Sequence, residues 1–245
     1  VTVSRESRLI LEEGVEIYVA DPSIDSIFFD PGKRIGVYVD GEFSALGTAD
    51  NPVFVRRLEG VREVDWAGFN ILEGETPVRL EYLDYSKQGS IKIFDRPMLI
   101  VENCYFHDGD GLRTFRGDSF IFRNNVSLNI GDGHAVQGYA MVSVDSCQFI
   151  HCGFKAYGDS IQINNCVGTP GGFGMQFSEP RTREIPYGRI TNCIATGMSV
   201  KIDNHIDSVD VVVENNTITS HSESAINLGE NNLTGLSICN NIIRG

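Results

Sequence analysis

Ser160-Ile161-Gln162-Ile163-Asn164-Asn165-Cys166-Val167 is the stretch on which the fold is decided. Ile161 and Ile163 alternate with polar residues, the two-residue period of a half-buried β-strand. The strand then runs into an asparagine followed by a small residue. The same junction recurs as Asn103-Cys104, Asn124-Asn125, Ser146-Cys147, Asn192-Cys193, Asn215-Asn216 and Asn240-Asn241. With Asn165-Cys166 in its place, the successive spacings are 21, 22, 19, 27, 23 and 25 residues, and Tyr82-Leu83 fits one register earlier at 21. Such a period is too short for helical-hairpin repeats of ~34 residues and matches a leucine-rich repeat or a stacked β coil. The leucine-rich phrase is absent, so a β coil is expected.

Each period divides into short alternating runs separated by Gly, Asn and Asp. One set is Leu112–Phe115, His134–Gln137, Phe154–Tyr157, Gly174–Phe177, Val200–Asp203 and Ala225–Leu228. A second is Ser119–Phe122, Met141–Val144, Ser160–Ile163, Tyr187–Ile190, Asp210–Val213 and Leu236–Ile238. A third starts at the junction itself. Three strands of three to five residues per period, joined by turn formers, make one coil of a solenoid. No segment sustains the i, i+3, i+4, i+7 apolar pattern of a helix, so almost no helix is expected. The chain reads as one continuous domain over residues 1–245, less regular in 1–75 and regular in 76–245.

Twenty Lys and Arg against 33 Asp and Glu give a net charge of −13. That argues against a nucleic-acid partner, whose phosphates are bound mainly by Lys and Arg. No run approaches the ~18 apolar residues of a membrane span. Two asparagines precede residue 100 and fifteen follow it, and all six cysteines follow it too. The repeat therefore has its own composition.

This arrangement resembles the single-stranded right-handed parallel β-helix, the fold of pectate lyases, polygalacturonases and phage tailspikes. Leu9–Ile17, Val37–Thr48, Asn51-Pro52-Val53 and Trp66-Ala67-Gly68 are similar to the opening coils of many cell-surface β-helix proteins. The resemblance covers nearly the whole chain. It implies an all-β solenoid of about 10–11 coils, a rod roughly 50 Å long at ~4.8 Å per coil. It fixes no chemistry, because one fold hosts many functions. It also implies a ladder of stacked asparagine amides at the bend between the second and third strands. Asn103, Asn124, Asn165, Asn192, Asn215 and Asn240 are the expected rungs, since asparagine tolerates the left-handed conformation of a sharp bend and stacked amides hydrogen-bond along the axis. Cys104, Cys147, Cys166 and Cys193 share inward parity with Phe106 and Phe149 and read as small core residues. Disulfides are disfavoured, because parallel Cβ vectors on coils ~4.8 Å apart stay beyond the usual ~3.8 Å. No Cys/His cluster has zinc-ligand spacing.

Chemistry is expected on the outward face of the first strand set. Its column is Arg113, Ala135, Lys155, Gln176, Lys201 and Asn227, with Phe115, Gln137, Tyr157 and Asp203 beside it. Cations, amides and rings on an acidic background suggest a groove for an anionic or hydroxylated polymer. Just before these strands lie Gly109-Asp110-Gly111 and Gly131-Asp132-Gly133. These phrases place Asp110 and Asp132 on adjacent coils, about 5 Å apart. Three readings stay open: an acid/base pair with Arg113 or Lys155 as base or charge clamp, a Ca²⁺ site with Asp108, Asp110 and Asp132 as ligands, or plain Asp-Gly turns. His134 shares inward parity with Phe154, which favours a buried histidine over a general base. The polygalacturonase and pectate-lyase signatures are only echoed: Gly133-His134 is followed by Ala135 where the family has Gly, and the Asp-Asp pair is missing. An insertion over 178–186 carries Arg181 and Arg183, which suit a carboxylate or sulfate at the groove wall.

Two functions follow as expectations. One is an extracellular, cell-surface or virion β-helix that binds polysaccharide. The other is a lyase or glycoside hydrolase acting on an acidic polysaccharide through Asp110, Asp132, Lys155 and Arg113. The first residues carry neither an initiator Met nor an apolar leader, and the last follow a repeat phrase without a polar cap. Both ends predict a piece of a longer chain or a homo-oligomer, stacked end to end or trimeric.

Overall fold

Three strands, Leu112–Arg123, His134–Asp145 and Phe154–Asn164, run through a corner and explain the architecture. They are shared by two halves of a 17-stranded parallel sheet, which therefore reads as two ladders bent against each other. A separate 10-stranded parallel sheet closes the third side. In the computed structural model the described residues are 1–19, 35–57, 66–86, 89–131, 133–169, 173–177, 185–196, 200–204, 209–219, 225–227 and 235–244. Each ladder holds one strand per coil, so the three-strand coil expected from the sequence is the unit of the fold. From Leu83–Ser86 to Thr217–Thr219 the coils make about six turns. The described residues contain no helix, and hence none long and apolar enough to cross a membrane.

Register follows the sequence period. On the second sheet Leu99 lies under Phe120, which lies under Val142 and then Ile161. On the third sheet Phe106 pairs with Ser127 and Ser127 with Phe149. The expected first and second strands merge in three coils into strands of 11 and 12 residues. Pairing continues through the bend there, with Gly117 opposite Tyr139 and Tyr139 opposite Gly158.

The core is the inward half of every strand. Phe69, Tyr85, Phe106, Phe122, Phe149 and Phe173 form a continuous run of ring contacts, with centroids 5.8–6.4 Å apart. Fully burying one such ring is worth about 1.5–3 kcal/mol. A solenoid whose coils touch only their neighbours needs such a thread to couple them.

The junctions behave as expected in backbone and differently in side chain. Tyr82, Asn103, Asn124, Ser146, Asn165, Asn192, Asn215 and Asn240 all adopt positive φ, from 49° to 58°. Their side chains, however, lie on the outside, with Asn124, Asn165, Asn192, Asn215 and Asn240 exposed. The left-handed residue turns its own Cβ outward, so the ladder is built by the residue after it. Asn125 Oδ1 accepts the Cys104 N–H at 2.8 Å, and its Nδ2 donates to Val101 O at 2.9 Å. Asn216 and Asn241 repeat the pattern on Cys193 N, Ile190 O, Asn216 N and Val213 O. Where cysteine takes the position, its thiol points at the equivalent carbonyl: Cys104 to Leu80 O at 3.3 Å, Cys147 to Phe122 O at 3.4 Å and Cys193 to Ile163 O at 3.7 Å. All six cysteines are free thiols, and only Cys239 is exposed. Burial pushes the Cys104 thiol up to about 12 and the Cys152 thiol up to about 11, so these are inert packing groups.

Candidate functional site

Alternation along the first sheet fixes what reaches solvent. Leu112, Thr114, His134, Val136, Phe154, Ala156, Phe173 and Met175 are buried, so the residues between them face outward. Register then assembles two parallel columns. The first runs Asn70, Lys92, Arg113, Ala135, Lys155, Gly174, Lys201 and Asn227. The second runs Phe94, Phe115, Gln137, Tyr157, Gln176 and Asp203.

This corrects one expectation. Gln176 does not continue the cation column; Tyr157 pairs with Gln176, and Gly174 stands opposite both Lys155 and Lys201. The strand Phe173–Phe177 begins on an inward phenylalanine, which sets the parity. For Gln176, Lys201 and Asp203 the backbone register is described and the side chains are not. Arg181 and Arg183 lie outside the described residues. Arg113, Tyr157, Lys155 and Gln137 do share the outer face, the last two exposed.

The columns also begin earlier than the sequence reading placed them. Ile91-Lys92-Ile93-Phe94 repeats the alternation of Leu112–Phe115 at a spacing of 21 residues, a signal present in the sequence. Phe94 and Phe115 stack on neighbouring coils with centroids 5.0 Å apart and planes at 11°. They open into a surface cavity of about 550 Å³ shared with Leu72, Asp40, Asp95 and Arg116. Asp95 and Arg116 both hold positive φ, 44° and 65°, at the corner between the first and second sheets. Behind that corner Arg96 is 1% exposed. Its guanidinium ties three coils together by donating to Leu72 O at 2.7 Å, Thr76 Oγ1 at 3.0 Å and Gly41 O at 2.7 Å.

The carboxylates separate into different environments. Asp108 Oδ1 accepts from Asn129 Nδ2 at 3.0 Å, and Oδ2 sits 3.2 Å from His107 Nδ1. The other nitrogen of His107 faces Asp84 Oδ1 at 3.1 Å, and Tyr105 stacks on the ring at 4.4 Å. Both Asp108 oxygens are thus engaged by side chains on the outer face of the third sheet. Asp110 is exposed at the corner leading into the first sheet. Asp132, its expected partner and the third expected Ca²⁺ ligand, lies outside the described residues. Among the described residues no three His, Cys, Asp or Glu side chains are grouped to hold a metal ion. The second glycine of each Gly-Asp-Gly phrase has a backbone reason: a Cβ on Gly111 would stand 2.0 Å from Gly133 O, and one on Gly133 2.4 Å from Gly153 O.

His134 is buried beside Ser127, with Nε2 2.7 Å from Ser127 Oγ. The Leu112 N–H donates to His134 Nδ1 at 3.0 Å, which makes Nδ1 the acceptor and Nε2 the protonated nitrogen. The imidazole therefore donates to the serine oxygen. A base activating serine would need the opposite tautomer. Burial lowers the His134 pKa to about 3, so the pair is a neutral core contact, as its inward parity implied.

Compared with protein-family models, curated proteins and solved structures, the chain matches none.

Proposed function

We propose that this chain is an extracellular or surface β-helix protein that binds a polysaccharide along the outward face of its first sheet. The observation that carries the reading is the pair of registered outward columns, cations and amides in one and rings and amides in the other. A regular polymer laid along the axis meets the same two outward positions on every coil, at a repeat of ~4.8 Å. Rings offer faces to the C–H groups of a sugar, while Gln137, Lys155 and Tyr157 offer hydrogen bonds to its hydroxyls. An open, shallow face suits binding along a chain better than enclosure of one small molecule.

The test is affinity electrophoresis of the chain through gels containing neutral or uronic-acid polysaccharides, paired with assays for new reducing ends and for unsaturated products. Retardation without product formation, weakened in a Lys155→Ala/Tyr157→Ala variant, is the expected result. Product formation abolished by Asp110→Asn would replace this reading with the lyase or hydrolase one.

A further inference from the structure

We propose that the corner formed by Leu72, Phe94 and Phe115, rimmed by Asp40, Asp95 and Arg116, is a subsite for the face of a neutral pyranose ring. The inference rests on the polysaccharide-binding reading and names which sugar chemistry one end of that face takes. Leu72 is 36% exposed and both phenylalanines are partly exposed, so three apolar side chains line an open cavity of about 550 Å³ on an otherwise acidic surface. Stacking Phe94 on Phe115 joins the two rings across neighbouring coils into one apolar patch. Each ring covers one face of the other, and the face left on each carries negative quadrupole charge that attracts the polarised C–H groups on the apolar face of a pyranose.

The rim sets the charge of the ligand. Among the described residues, Asp40, Glu73 and Asp95 stand against the guanidinium of Arg116 around the cavity. That balance repels a uronate, while carboxylates accept strongly from sugar hydroxyls and a guanidinium donates to them. A neutral ring with hydroxyls at its edge satisfies floor and rim together.

The experiment is affinity electrophoresis of the full chain in gels of dextran, mixed-linkage β-glucan, galactomannan or polygalacturonate, with oligolysine as a soluble competitor. At least one neutral polymer retards the chain, and Phe115→Ala weakens that retention by about 3–10-fold, the scale of one aromatic contact. Asp95→Asn keeps the side-chain shape; it weakens retention by the neutral polymer and strengthens retention by polygalacturonate. Circular dichroism checks the fold of each variant, and Asp95→Asn decides alone if Phe115→Ala does not fold. Unchanged retention in both variants, with loss in Lys155→Ala/Tyr157→Ala, overturns the subsite and leaves the groove reading standing. Retention by polygalacturonate alone, or displacement by oligolysine, also overturns it. No retardation by any polymer removes the groove reading as well.

Discussion

Replacing Asn125 with alanine takes two hydrogen bonds from a position that is 1% exposed. The Cys104 N–H loses the Oδ1 acceptor at 2.8 Å, and Val101 O loses the Nδ2 donor at 2.9 Å. A buried donor left unpaired costs about 1–3 kcal/mol, and a lost hydrogen bond to a carbonyl about 1 kcal/mol. The expected destabilisation is therefore about 2–4 kcal/mol. The companion variant is Asn125→Cys, because cysteine occupies the equivalent place in other coils. There the thiol reaches the corresponding carbonyl, as Cys147 does to Phe122 O at 3.4 Å. A thiol is also a weak acceptor for the backbone N–H, as Cys193 Sγ is for Cys166 N at 3.5 Å. Asn125→Cys should thus lose about half as much as the alanine variant, roughly 1–2 kcal/mol. Urea unfolding followed by circular dichroism, with equal m-values required of all three proteins, measures both losses. Equal losses for alanine and cysteine would refute the reasoning, since the junction would then depend on side-chain volume and not on the two hydrogen bonds.

Two further outcomes test the interior. His134 has its pKa lowered by burial to about 3 from the ordinary 6.5, so below pH 6.5 the unfolded chain binds a proton the folded chain refuses. Its contribution is fully present above pH 6.5 and is lost towards pH 3, with a slope approaching about 1.4 kcal/mol per pH unit. His134→Gln keeps a side-chain acceptor and donor and should remove that slope in urea melts between pH 4 and 7; an unchanged slope would assign acid sensitivity elsewhere. Gly133→Ala forces a Cβ to 2.4 Å from Gly153 O at φ +71°. It should cost at least about 2 kcal/mol, the left-handed strain and the clash adding together. Gly131→Ala, with nothing within 4 Å of its Cβ, should change stability by no more than about 0.5 kcal/mol. Equal thermal shifts for the two glycine variants would contradict the packing at this corner.

The period was legible because the repeat is a backbone requirement. From Tyr82 onward each junction holds a left-handed residue at one corner, and asparagine marks six of the eight, with Tyr82 and Ser146 at the other two. Parity already sent the second residue of each pair inward; what the pattern did not say is that this residue, Asn125 in its coil, carries the amide ladder in place of the first. Residue identity at Asn124-Asn125 is symmetrical, and only the twist of the left-handed residue sends the first amide to solvent and the second to the core. Parity placed Lys155 beside Tyr157 and His134 inside the core correctly. What failed at Gln176 is register and not parity: the strand begins at Phe173, so Gly174 stands beside Lys155 and Gln176 pairs with Tyr157. Phe94 and Lys92 were missed for a different reason: the turn after them is Asp95-Arg96-Pro97, which lacks the Gly seen in later coils. Nothing in the sequence alone shows that Arg96 folds back to fill that corner.

The inward and outward halves of each strand answer to different constraints. Interior positions are tied to the coil above and below: Arg96 spans three coils, Asn125 two, and the ring thread runs from Phe69 to Phe173. A change at any of them is felt by its neighbours. Lys155 and Gln137 are exposed, and register alone decides what stands beside them. Substituting these side chains should therefore leave the solenoid intact, within about 0.5 kcal/mol of its original stability, while changing whatever the face binds. The repeat thus supplies a ruled surface whose spacing is fixed by the backbone and whose chemistry can vary coil by coil. Under the proposed reading, rings and cations registered on successive coils would act as a sequence of subsites, and a polymer is the ligand geometry that would read them in order.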